Sequence, residues 1–121
     1  MEQKYIVGDV VMYHNKIMVV KEPRDESHFD LSCHEEGLVY CFVGVDDMKP
    51  LSLTPEILEK NGWEKLYEKF FEKNVNDIRL TIELSENLYV AINRIFIMEI
   101  HYVHELQHLL FGLGLNSEME V

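Results

Sequence analysis

Residues 10–20, VVMYHNKIMVV, have the pattern of two short strands joined by a turn. Apolar and β-branched residues fill both arms, and the intervening His14-Asn15-Lys16 is polar and turn-forming. Gly8-Asp9, directly before the first arm, marks where the strand begins. The stretch therefore predicts a β-hairpin and makes the N-terminal half of the chain a β structure.

A second hairpin is predicted after the polar, turn-forming link at residues 23–27. Its turn is Glu35-Glu36-Gly37, and the strands expected in this half of the chain are 9–14, 16–22, 28–33 and 38–45. Four short strands in so few residues are typical of small β-barrels. We therefore expect residues 1–50 to form an SH3-like β subdomain.

The next segment contains the clearest helix start in the chain. Thr54 is a favourable N-cap, and Pro55 occupies the first helical position, where its missing N–H has no cost. Leu53 and Leu58 have the spacing of a hydrophobic staple, and Gly62 suits the left-handed position after the last turn. These signals predict a short structural helix.

Residues 63–73 are ambiguous, because their aromatic and apolar side chains recur at helical spacing and would also suit a strand. Three strands and a closing helix are expected after them, at 78–82, 88–92, 95–98 and 101–113. We therefore predict that residues 51–121 form an α+β subdomain, an antiparallel sheet with a C-terminal helix packed on it. The residues expected in its core are Ile57, Leu58, Trp63, Leu106, Leu109, Leu110 and Leu113.

Charge and composition disfavour two classes of partner. The chain has 22 acidic and 11 basic side chains, a formal net charge of −11, and the excess acid is spread over both halves. Because phosphate neutralisation supplies most nonspecific nucleic-acid affinity, we expect no nucleic-acid partner. No apolar run approaches the ~20 residues that cross a bilayer, and no secretory signal is visible, so we expect a cytoplasmic protein and no membrane partner. Cys33 and Cys41 are then expected as reduced thiols rather than as a disulfide.

His104, Glu105 and His108 spell H-E-x-x-H, the signature of zinc peptidases. On a helix the two histidines would share one face as zinc ligands, and Glu105 would act as general base to a zinc-bound water. The longer form of the signature needs glycine and histidine at positions that are Phe111 and Gly114 here. The motif therefore lacks an obvious third ligand.

Helical geometry also indicates where the motif points. At about 100° per residue, the leucines of residues 101–113 fall in one arc with Val103, and the three motif residues lie opposite, with His101. We therefore expect His104, Glu105 and His108 to be largely exposed, with no metal and no catalytic residue. A zinc site at His104 and His108, with Glu105 as base, is the alternative.

Two further stretches are residues 51–63, LSLTPEILEKNGW, and residues 102–108, YVHELQH. They resemble the LTxEILxKNGF and YVHxLQH motifs of a family of small uncharacterised proteins from gut Bacteroidetes genomes and mobile elements. The resemblance extends to residues 8–11, where the family has a similar first strand. The family has no assigned activity, and its residue at the position of Glu105 is commonly glutamine, which cannot act as a base. The resemblance also favours extended structure at residues 63–73.

The sequence therefore favours a non-enzymatic binding or accessory protein, associated with mobile elements. SH3-like barrels and exposed sheet edges commonly bind peptides, so a protein or peptide partner is expected. A small zinc-dependent metallopeptidase using the HELQH segment is the alternative, with zinc as its cofactor. The sequence leaves the oligomeric state open.

Overall fold

The N-terminal half forms one antiparallel sheet in the computed structural model, which describes residues 5–33, 35–67, 69–84, 88–93 and 95–121. Its strands are β1 (Val10–Tyr13), β2 (Lys16–Asp25), β3 (His28–Cys33), β4 (Leu38–Gly44) and β5 (Lys49–Pro50), in the order β4-β3-β2-β1-β5. The four predicted strands are confirmed, but the link predicted at residues 23–27 is wrong in part: β2 continues to Asp25 and pairs with β3, and only Glu26 and Ser27 form the turn. The described strands do not close into a barrel, so the SH3-like barrel stays unconfirmed.

The turns of this sheet follow from local chemistry. β1 and β2 are joined by His14-Asn15, whose φ angles are 51° and 61°. A two-residue hairpin turn whose twist matches that of the flanking strands requires a left-handed conformation at both residues. A single 3-10 turn, Val45–Asp47, follows β4.

The second half of the described chain contains a helix, five strands and a second helix. The elements are α1 (Pro55–Lys60), β6 (Glu64–Tyr67), β7 (Phe70–Val75), β8 (Ile78–Leu84), β9 (Leu88–Ile92), β10 (Ile95–Glu99) and α2 (Val103–Gly112). The strands form an antiparallel meander in the order β10-β9-β8-β7-β6. Within the ambiguous stretch 63–73, residues 64–67 and 70–73 are strands, which confirms the extended structure that the resemblance favoured. Residues 85–87 and 94, in the two predicted breaks of the meander, lie outside the described residues.

The short helix α1 begins and ends as its sequence predicts. The Thr54 hydroxyl accepts a hydrogen bond from the Ile57 amide at 3.3 Å, and Pro55 occupies the first helical position. Leu53 and Leu58 are both buried, and Gly62 has φ 85° after the last turn. The Thr54 hydroxyl satisfies one of the free amides at the start of the helix, Pro55 has no amide hydrogen to satisfy, and Leu53 and Leu58 pack together as the predicted staple.

The described residues form two hydrophobic cores. The first lies on one face of the N-terminal sheet and contains Tyr5, Val11, Met18, Val20, Phe29, Leu31, Cys33, Val43 and Met48. The second contains Val10, Leu53, Ile57, Leu58, Trp63, Phe71, Leu80, Ile82, Val90, Ile100, Val103, Leu106 and Leu110. The predicted core is confirmed except that Leu109 and Leu113 are only partly buried. The predicted division at residue 50 stays a prediction, and Val10 of β1 packs in the second core.

The segments that precede the two helices pair with each other. The Leu53 amide donates to the His101 carbonyl at 3.1 Å, and the Val103 amide donates to the Leu51 carbonyl at 2.8 Å. This pairing fixes the start of α2 beside the start of α1. Neither described helix combines the length and the apolar character that crossing a bilayer requires.

Candidate functional site

The polar face of α2 packs against the N-terminal loop, residues 5–10, instead of facing solvent. Only 3% of His104 is exposed, and 3% of Gln107. The expectation that His104 would be largely exposed is wrong, while Glu105 and His108 are partly exposed. A helix with one packing layer, on its leucine side, would leave His104 exposed, but residues 5–10 provide a second layer on the other side of α2.

Gln107 joins α2 to the start of β1 through its amide. Its Oε1 accepts from the Val10 backbone N–H at 2.8 Å, and its Nε2 donates to the Gly8 carbonyl at 2.8 Å. The same Nε2 lies 3.1 Å from the carbonyl of Ser117, beyond the end of the helix. One buried side chain thereby satisfies backbone groups that lie about a hundred residues away in sequence.

Asp9 and His108 form a second link between the same two segments. His108 Nε2 lies 2.7 Å from Asp9 Oδ2, which also accepts from the Ile6 amide at 2.9 Å. Asp9 is only 1% exposed, and burial raises the pKa of its carboxyl, an effect that the bonds from Ile6 and His108 oppose. Sequence reasoning missed Asp9, because no local signal connects it to a histidine on the last helix.

His104 lies between aromatic rings. Its ring centroid is 5.0 Å from that of Tyr5 and 5.9 Å from that of Tyr102, and the His104 and Tyr102 rings are nearly parallel, at 11°. The His108 ring is 5.5 Å away, roughly perpendicular. Burial is the largest cause that raises the pKa of the Tyr5 hydroxyl, and the negative charge of Asp9 raises it further. The first histidine of the motif is therefore part of the packing between the N-terminal loop and α2.

Glu105 binds the two backbone amides that come directly before its own helix. Its Oε1 accepts from the His101 amide at 2.8 Å and from the Tyr102 amide at 3.0 Å. This is the reach-back half of a capping box, in which a glutamate at the third helical position satisfies free amides at the N-terminus. A peptidase base must instead face a metal-bound water. The geometry thus gives Glu105 a structural role.

Each of the three motif residues, His104, Glu105 and His108, therefore contacts another part of the fold. Among the residues that the structure describes, no three His, Cys, Asp or Glu side chains are grouped so that they could hold a metal ion. His104 and His108 are brought together, as the alternative zinc site requires, yet the carboxylate beside His108 is Asp9, which it binds directly. The peptidase gains no third ligand from the described part of the fold.

We expect Glu105→Gln to leave stability nearly unchanged and Glu105→Ala to lower the free energy of unfolding by about 0.5–2 kcal/mol. Glutamine keeps a carbonyl oxygen that can accept from the two amides, whereas alanine leaves them without the side-chain acceptor. Chemical denaturation measures both values. Elemental analysis of untagged, dialysed protein measures the bound zinc, and we expect less than one zinc ion per chain. Stoichiometric zinc, together with peptide hydrolysis that Glu105→Gln abolishes, would establish the peptidase instead.

A different surface of the molecule carries unusual exposed apolar residues. β4 lies at the edge of its sheet, and no other described strand pairs with its outer side. Leu38, Val39 and Phe42 on this strand are 50%, 56% and 58% exposed, and Leu38–Gly44 contains no charged residue. Proteins usually protect such edges with lysine, proline or a covering segment. The strand itself was predicted, but nothing in its sequence indicates that it lies at an edge.

Phe42 departs from the regular strand. Its φ is 58°, a left-handed conformation that is a genuine outlier for a bulky residue, and the β3–β4 register shifts at this point. Its ring stacks on His28, with centroids 4.5 Å apart and planes at 29°. The local backbone strain is of the kind that the surrounding structure must hold in place.

Asp30 provides that restraint. Its Oδ1 accepts from the Phe42 backbone N–H at 3.0 Å, and its Oδ2 lies 2.6 Å from Arg24 Nη2. The carboxylate is only 4% exposed. Arg24, and then the Phe42 amide, lower the pKa of the Asp30 carboxyl below its usual value, so the charged form persists into acid. Phe42 is thus fixed by a buried, charge-assisted contact.

Comparison of the chain with protein-family models, with curated proteins and with solved structures finds no significant match. The resemblance to the Bacteroidetes proteins therefore stays an expectation. The case for a function depends on the residues and their geometry.

Proposed function

We propose that this protein is a non-enzymatic binding or accessory module that binds an extended segment of a partner protein along the outer edge of β4. The observation that carries the proposal is the uncharged, apolar edge strand Leu38–Gly44 with its three exposed hydrophobic side chains. Strand addition at a sheet edge is an established mode of peptide recognition.

The edge offers both parts of such a site. Its outward-facing backbone N–H and C=O groups can pair with another strand, which supplies affinity without regard to sequence. Val39 and Phe42 can then contact side chains of the bound segment and supply specificity. An unprotected edge strand of this length promotes aggregation, and a partner that covers the edge would prevent it.

The charges around β4 indicate the chemistry of the partner. Glu35 and Glu36 precede the strand, Asp46 and Asp47 follow it, and all four are partly or fully exposed. Lys16 lies 2.7 Å from Glu36 and offsets one of these charges. A segment with an apolar centre and basic residues on both flanks complements this arrangement. A second copy of the chain, with net charge −11, is repelled.

Other features support the accessory role. The proteins that residues 51–63 and 102–108 resemble commonly have glutamine at the position of Glu105, which cannot act as a base, so the resemblance favours no catalytic role for this residue. An SH3-like character of the N-terminal sheet would agree with peptide binding, by analogy of fold. The zinc metallopeptidase alternative has less support, because Glu105 binds backbone amides and His108 binds Asp9.

A synthetic peptide tests the proposal. The probe is a nine-residue peptide of alternating valine and threonine with two lysines at each end. We expect it to bind at least about tenfold more tightly than the same peptide with glutamates at its ends, because the charge complementarity is reversed. Chemical-shift changes and protection of amides from hydrogen exchange should be confined to residues 38–44 and their neighbours.

Two matched variants locate the site. Val39→Lys places a charge on the β4 edge and should abolish binding, whereas Ile95→Lys places the same charge on β10, the edge of the other sheet. Both side chains are exposed, so neither change should alter stability by more than about 0.5 kcal/mol. Equal binding by the lysine-flanked and glutamate-flanked peptides, or equal loss in both variants, would refute the proposal.

A further inference from the structure

Phe42 has two features that do not stabilise the fold: a left-handed backbone conformation and a largely exposed side chain. The bulge in β4 has a left-handed residue, and glycine or asparagine would adopt that conformation at lower cost. The chain has instead a phenylalanine that carries the backbone strain and still exposes 58% of its surface. Strain of this kind is concentrated at functional sites, where the surrounding structure maintains it.

The restraint on Phe42 includes one buried group, Asp30. The Asp30 carboxylate, 4% exposed, uses one oxygen for the Phe42 amide and the other for Arg24. His28 lies against one face of the Phe42 ring, and its Nδ1 is 2.8 Å from an Asp25 carboxylate oxygen. The ring is thus supported by His28, and the 58% of Phe42 that remains exposed is available to a bound segment.

We propose that Phe42 is the specificity-determining anchor of the β4 edge and that Asp30 is the positioning residue that holds it. This inference rests on the proposed function. A bound strand pairs with Leu38–Cys41, and the bulge ends the pairing there. The next side chain of the bound segment then packs on the exposed part of the Phe42 ring, which favours an apolar or aromatic side chain at that position.

The arrangement explains why the anchor is fixed in advance. An exposed phenylalanine on a mobile loop would lose conformational entropy on binding, and a restrained one loses less. Aromatic anchors held in a defined geometry commonly dominate the energetics of an interface. A short paired stretch followed by one anchored side chain also limits which segments can bind.

The test uses the lysine-flanked peptide and five variants of the full chain. Phe42→Ala and Phe42→Gly should each weaken binding about tenfold or more, since both remove the anchor. Phe42→Gly should not lower the denaturation midpoint, because glycine relieves the left-handed strain. A loss of affinity without a loss of stability is a result that a merely structural role of Phe42 does not produce.

Asp30→Ala tests whether Asp30 positions Phe42, and Arg24→Gln tests whether the charge of Arg24 contributes to binding. Asp30→Ala should give residue 42 a negative φ, measured by its backbone amide–Hα coupling, and should weaken binding as much as Phe42→Ala. Arg24→Gln keeps the bond from Asp30 to the Phe42 amide, so affinity should stay within about twofold of wild type. If Asp30→Ala does not fold, Asp30→Asn, which keeps an acceptor oxygen, should retain both the positive φ and most of the affinity.

The outcomes distinguish this inference from the function on which it rests. If wild-type protein binds none of the peptides, the proposed function fails. If wild-type protein binds but Phe42→Ala binds equally well, the ring is not an anchor and this inference fails alone. Retained affinity in Asp30→Ala, or a loss of the positive φ in Asp30→Asn together with unchanged affinity, would overturn the positioning role.

Discussion

Replacing Gln107 with alanine is expected to lower the free energy of unfolding by about 2–4 kcal/mol, since each buried backbone group left unsatisfied costs roughly 1–3 kcal/mol. The Gln107 amide bonds both the Val10 N–H and the Gly8 carbonyl, at 2.8 Å each. Without it, the Val10 N–H and the Gly8 carbonyl lose their hydrogen bonds to α2, and the link between Asp9 and His108 remains. Urea denaturation measures the loss, and the Val10 amide should exchange its hydrogen faster than in the wild type.

Gln107→Met is the matched control for packing. Methionine keeps most of the side-chain volume but cannot replace either hydrogen bond, so most of the destabilisation should remain. If the methionine variant is as stable as the wild type, the contribution of Gln107 comes from volume and not from its amide. That result would contradict the structural role assigned to the polar face of α2.

Leu106→Ala is expected to cost about 2–5 kcal/mol, the range for truncating a fully buried leucine. Leu106 is 0% exposed in the second core. Phe111 on the same helix is 66% exposed, so Phe111→Ala should change stability by no more than about 0.5 kcal/mol. Comparable losses in the two variants would mean that the leucine face of α2 is not the packed face.

Elements whose determinants are local were predictable from the sequence. The hairpin at residues 10–20 contains both its strands and its turn, and α1 contains its own cap and staple. Residues 63–73 show the limit, because aromatic side chains at mixed spacing suit a helix and a strand equally. There the hydrogen bonds of the β6–β7 hairpin decide the structure.

The failed prediction of an exposed His104 has a different cause. A helical wheel divides α2 into an apolar and a polar face, and it cannot show that the polar face meets a second layer. The partners of Gln107 and His108 are Gly8, Val10 and Asp9, separated from them by 97–99 residues. Polar residues that bond buried groups have the same local periodicity as surface residues.

The candidate site on β4 was also beyond sequence reasoning. Whether a strand is central or at an edge depends on the order of all strands in the sheet, which no single strand encodes. Phe42 has low preference for a left-handed conformation, so nothing in its identity predicts the bulge. The restraint by Asp30 is visible only when β3 and β4 are placed side by side.

The position of α2 in the chain has a consequence for biosynthesis. α2 follows all the strands that the structure describes, yet it supplies Val103, Leu106 and Leu110 to the second core and bonds the start of β1. Contacts between segments so far apart in sequence form late and slow folding. On the ribosome, the sheets therefore emerge with an uncovered apolar face, and a nascent chain that lacks α2 is the species most exposed to aggregation and to chaperones.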